Sequence, residues 1–126
     1  IEKLKKNNNG FFLMIEGAQI DWGGHDNHTP YIVTEMLDFD RTIGEVLKFA
    51  AKNGETLVVI TADHETGGFS INGGDIATGI VEGKFTTGGH TAVMVPIFAY
   101  GPQAELFSGI IENTDIFYKF KAVLGL

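Results

Sequence analysis

Asp21 and His25 stand four residues apart, Asp63 and His64 are adjacent, and His90 follows Gly88-Gly89. Neutral imidazole and carboxylate are both good ligands for a divalent cation such as Zn²⁺, so these residue types point to metal chemistry. Each piece adjoins an apolar run. Phe11 to Ile15 precedes Glu16, Asp21 and His25; Thr56 to Ala62 precedes Asp63; Thr91 to Tyr100 follows His90. Carboxylates and imidazoles at the ends of buried strands are costly to desolvate unless an opposite charge meets them. A metal ion supplies that charge.

Taken singly, each piece is weak. Asp21 and His25 would share a face on a helix, but Gly23 and Gly24 between them favour a tight loop. Asp63 and His64 would point to opposite faces of a strand unless a bulge or turn intervenes. The combination carries the signal, because three of the four histidines stand at strand ends with acids beside two of them. The fourth, His28, lies two residues before Pro30 and reads as a polar cap or surface group.

The elements that must position these residues follow from patterning. Residues 1–10 read as the end of a helix stopped by Asn7-Asn8-Asn9-Gly10, and Phe11 to Glu16 as a first strand. Thr29-Pro30 opens a long helix to about Asn53, with Gly54 as its C-cap. Glu55 to Ala62 is a second strand whose continuous apolar character implies a parallel strand covered on both faces. Short strands are expected near Phe69 to Ile71 and within residues 80–87, a further strand over Val93 to Tyr100, an irregular stretch from Glu105, and a last helix after Asn113-Thr114-Asp115. The order implies one α/β domain over residues 1–126, a mainly parallel sheet flanked by helices. In such sheets ligands sit beyond the carboxyl ends of strands. Glu16, Asp21, His25, Asp63 and His64 obey that rule, whereas His90 must reach the site from a returning loop.

Composition narrows the function. The 126 residues carry a net charge of −7, which argues against a nucleic-acid surface. The absence of Cys removes disulfides, thiolate catalysis and thiolate zinc sites together. No apolar run reaches the roughly 18 residues of a membrane span, and no signal peptide is visible. The first residue is Ile1, so a longer parent chain is expected.

Four blocks in order resemble the carboxy-terminal portion of a bacterial alkaline phosphatase: Glu16-Gly17-Ala18-Gln19-Ile20-Asp21 with His25, then Thr61-Ala62-Asp63-His64-Glu65-Thr66-Gly67-Gly68, then Gly89-His90-Thr91, then Val95-Pro96-Ile97-Phe98-Ala99-Tyr100-Gly101-Pro102. The resemblance spans most of the chain and implies an alkaline-phosphatase-like fold. It implies that Asp21, His25 and His90 hold a first zinc, that Asp63 and His64 belong to a second, and that Glu16 sits on a magnesium. Trp22 falls where the family varies its residue beside the phosphate. Two zinc ions roughly 4 Å apart can clamp the attacking and leaving oxygens of a phosphate monoester. The implied parent is an exported, periplasmic or secreted, homodimeric hydrolase.

Parts of the family's machinery have no counterpart here. Ser70 and Ser108 lack the Asp-Ser-Ala setting of the nucleophile, and Arg41, the sole arginine, lies mid-helix with no match to the phosphate-binding arginine. The bridging aspartate and the hydroxyl ligand of magnesium also have no candidate. The expectation is therefore a fragment that needs the amino-terminal remainder of the enzyme and is inactive alone. The alternatives are a phosphomutase of the same superfamily, which would lack the Glu16-type magnesium site, or a non-catalytic metal-binding fragment.

Overall fold

A computed structural model describes every residue from Ile1 to Leu126. Its backbone element is the helix at Thr29–Asn53, and local chemistry sets both ends. Pro30 occupies the first turn, where its missing N–H costs nothing. Gly54 closes the helix at φ 73°, a left-handed cap that glycine adopts without a Cβ penalty, and its N–H bonds the Ala50 carbonyl. Ile32, Phe39, Ile43, Val46, Leu47 and Ala50 turn inward at helical spacing. His28 is the N-cap residue, although its ring makes no capping hydrogen bond.

The segment before it departs from the expectation. Gly23 and Gly24 do not form a tight loop: Ala18–His25 is an α-helix, which we call α1, and Thr29–Asn53 is α2. Gly23 and Gly24 serve packing rather than turning. A Cβ on Gly23 would lie 2.9 Å from the Ile32 backbone nitrogen, and one on Gly24 would lie 2.8 Å from the Thr66 carbonyl oxygen. Two bare positions let α1 press against α2 on one side and against the strand carrying Thr66 on the other.

The strands are shorter than the apolar runs. In chain order they are β1 (Val58–Ile60), β2 (Glu65–Thr66), β3 (Ser70–Asp75), β4 (Ile80–Lys84), β5 (His90–Thr91) and β6 (Phe98–Tyr100). All three pairings are antiparallel: β1 with β6, β2 with β5, and β3 with β4 as a hairpin. The α/β mixture holds, but no pair within this chain is the parallel pair read from the Glu55 to Ala62 run. An unbroken apolar run reports burial on both faces and carries no information on strand direction. Phe11 to Glu16 forms no ladder in this chain, and the amino-terminal helix is one 3-10 turn at Leu4–Lys6. A second 3-10 turn at Ala104–Phe107 leads to the last helix, α3 (Asp115–Leu124).

The core is thin. Ala50, Val58 and Phe107 are its buried apolar residues, while Phe12, Met14, Val93, Met94 and Phe98 are each at least 60% exposed. The accessible surface is 9101 Å². A folded monomer of 13.7 kDa exposes about 6,600 Å² by the usual size scaling. The excess, about 2,500 Å², has the size of an extensive protein interface.

Gly24→Ala tests the α1–β2 contact. In an open helix the change stabilises by roughly 0.5–1 kcal/mol. Here the added methyl meets backbone, so a loss of about 1–3 kcal/mol is expected from overpacking, read as a lower thermal midpoint. Gly44→Ala in α2, where a Cβ meets nothing within 4 Å, should move the midpoint the other way. An unchanged or raised midpoint for Gly24→Ala would show that the contact yields easily.

Candidate metal centre

Because α1 is a helix, Asp21 and His25 lie one turn apart on one face, and Asp21 Oδ2 is 3.4 Å from His25 Nε2. The ring's other nitrogen is spoken for: His25 Nδ1 stands 2.7 Å from the Gly88 carbonyl oxygen. Donation of the Nδ1 proton there fixes the tautomer and leaves the Nε2 lone pair free, the usual outer contact of a metal-ligating histidine. The same carbonyl belongs to the loop that delivers His90 into β5. His90 Nε2 lies 3.2 Å from His25 Nε2 and 3.7 Å from Asp21 Oδ1.

The His25–His90 nitrogen spacing and the Asp21 Oδ2–His25 spacing suit one ion. Ligand atoms about 2.0–2.1 Å from a tetrahedral zinc sit about 3.3–3.5 Å from one another. One carboxylate and two imidazoles, all partly exposed, therefore gather as candidate ligands, the carboxylate facing His25 through Oδ2 and His90 through Oδ1.

A second pair lies against the first. After β1 the chain bends at Asp63, and the His64 N–H is 3.2 Å from Asp63 Oδ1. That turn brings Asp63 Oδ2 within 3.2 Å of His64 Nε2, so the two adjacent residues converge on one point. The His64 ring stacks on His90 with centroids 3.5 Å apart and planes 18° off parallel. Asp21, His64 and His90 each present a donor atom within 4.8 Å of the others. The structure thus brings together Asp21, His25, His64 and His90, with Asp63 beside them. Trp22 is 57% exposed on α1 next to Asp21. Glu16 stands apart from the donor group, exposed two residues before α1, in a groove with Gln19, Glu35 and Asp38.

Two supporting residues carried no role in the sequence reading. Glu65 accepts hydrogen bonds from the Gly68 N–H (3.1 Å), the Phe69 N–H (3.0 Å) and the Thr91 hydroxyl. Burial pushes its carboxyl up, but the bonds from Thr91, Phe69 and Gly68, with the neighbouring His64, outweigh burial and hold it below its ordinary value. Thr66 is 7% exposed and touches both Asp21 and His64. The legible clue was strand alternation, since residues two apart on a strand share a face.

The alkaline phosphatase family profile matches residues 1–82 and 81–126. The chain is 37% identical to the alkaline phosphatase of Escherichia coli K12, covering all of this chain and 30% of that protein. It is 33% identical to alkaline phosphatase 3 of Bacillus subtilis, over 92% of this chain and 40% of that protein. Among solved structures, the alkaline phosphatase from the Antarctic bacterium TAB5 superposes with a TM-score of 0.88 at 48% identity, over 97% of this chain and 37% of that one. A variant of that enzyme, 47% identical, was solved with magnesium bound in its M3 site. The chain thus spans 30–40% of the length of these two curated relatives, matching their carboxy-terminal part.

Two outcomes follow. Zinc per chain, measured by elemental analysis after dialysis against micromolar zinc, should fall on His25→Ala, and no change would show that His25 is not a ligand. A carboxylate with a depressed folded pKa contributes stability that is present above its ordinary value of 4.5 and lost as pH falls through the folded pKa. Unfolding stability in chelator should therefore drop as pH falls below 4.5. Glu65→Gln should lower stability at neutral pH and flatten that acid limb; an unaltered limb would show that Glu65 does not contribute to it.

Proposed function

The chain belongs to the alkaline phosphatase family, and from that membership we propose that it supplies the metal-binding portion of an enzyme that hydrolyses phosphate monoesters. The observation that carries the reading is the pair of donor sets lying side by side, Asp21–His25–His90 and Asp63–His64. Both fit zinc in donor type and spacing. Bound there, a pair of zinc ions would neutralise a phosphate dianion and polarise its oxygens.

The chain's own residues have narrower tasks. Asp21 and Asp63 supply negative charge. His25 is oriented through Gly88, and the stacked His64 and His90 rings keep the two sets adjacent. The exposed Trp22, next to Asp21 on α1, would be the residue beside the bound phosphate. Glu16 would contribute a carboxylate to a magnesium site completed by the amino-terminal remainder. That remainder also supplies the nucleophilic serine and the phosphate-binding arginine. It covers the exposed apolar face around Phe12, Met14 and Met94. The whole enzyme works as an exported homodimer, in the periplasm or outside the cell.

A p-nitrophenyl phosphate assay tests this. The 126-residue chain should show no zinc-dependent turnover. The whole polypeptide carrying these residues should turn over the ester with zinc and lose activity on chelation. Turnover by the 126 residues alone would place a nucleophile within them and overturn the division of labour. A zinc-loaded whole polypeptide with no phosphatase activity would overturn the function.

A further inference from the structure

Thr66 hydrogen-bonds a member of each donor set without belonging to either. Its Oγ1 lies 2.5 Å from Asp21 Oδ1 and 3.2 Å from His64 Nδ1, and the residue is 7% exposed. A hydroxyl has one proton to give and lone pairs to accept with. A carboxylate at neutral pH can only accept, and an oxygen–oxygen approach of 2.5 Å is repulsive unless a proton lies between. The hydroxyl proton therefore points at Asp21. The remaining contact then requires that His64 donate, so the His64 proton sits on Nδ1. In the neutral ring this leaves Nε2 as the nitrogen able to bind a metal, 3.2 Å from Asp63 Oδ2.

We propose that Thr66 is a positioning residue shared by both metal sites, its single hydroxyl orienting the Asp21 carboxylate of one and setting the His64 tautomer of the other. The inference rests on the zinc reading above. It deepens it by making the two sites interdependent through a group that binds no metal. With Oδ1 held by Thr66, Asp21 turns Oδ2 toward His25. The backbone supports this placement. Thr66 pairs with His90 across β2–β5, and α1 approaches so closely at Gly24 that its bare Cα faces the Thr66 side chain. Thr66 is thus fixed from the strand bearing His90 and from the helix bearing Asp21.

The test compares Thr66→Val, which keeps the shape and removes the hydroxyl, with Thr66→Ser, which keeps the hydroxyl, in the whole polypeptide. Zinc affinity of both sites should fall by roughly 10–100-fold in Thr66→Val, the usual effect of losing an outer-shell partner, and Thr66→Ser should recover most of it. The visible bands of the cobalt-substituted protein should change for both ions in Thr66→Val. Nitrogen NMR of the His64 ring should show the Nδ1–H tautomer in the unsubstituted protein and a loss of that preference in Thr66→Val. A merely structural Thr66 would lower thermal stability in chelator without moving tautomer or cobalt spectrum, and that result overturns the proposal. So does weakening of one site alone. If the unsubstituted protein binds no zinc or cobalt, it is the metal reading that fails.

Discussion

Lone pairs of like character have been crowded into one small volume. Two imidazole nitrogens and a carboxylate stand 3.2–3.7 Å apart, and a third imidazole stacks on one of them. Nothing cationic from this chain enters to relieve that crowding; Arg41 pairs instead with Asp38 on the exposed face of α2. Such an arrangement is suited to receive a cation. Much of the local architecture serves to hold it: the helical turn between Asp21 and His25, the bend at Asp63, and the short β2–β5 ladder that sets His90 opposite Thr66.

The Asp and His residues that the structure gathers stood out in the sequence by their types. Few roles other than metal binding gather Asp and His at the ends of apolar runs. Their supports did not. The group that orients His25 is the carbonyl of Gly88, and a backbone carbonyl has no sequence signature. Thr66 looked like any small residue in a glycine-rich stretch. The glycines misled for a physical reason: Gly23 and Gly24 looked like turn residues, yet they lie in a helix where backbone contact at 2.8–2.9 Å excludes a side chain. α2, by contrast, announced itself through Pro30 and Gly54, whose backbone preferences act locally and need no partner. Strand direction depends on what lies alongside, which a single run cannot encode, and within this chain β1 has only the antiparallel β6 beside it.

The thin core follows from the same division between local and distant. Helix caps and side-chain pairs one turn apart are satisfied inside the chain. The apolar runs at Phe12 to Ile15 and Val93 to Met94 are largely not, and they remain open to solvent. Their exposure suits a stretch that spans 30–40% of its relatives' length.

The contact between His25 and His90 joins residues 65 positions apart in a chain without cysteine. An ion gripping both rings would act as a covalent-like clasp on that long loop. In chain-entropy terms, closing such a loop withdraws about 4 kcal/mol of freedom from the unfolded ensemble. The cation would then be part of the fold's own scaffolding. The order of assembly would run from metal to structure as much as from structure to metal.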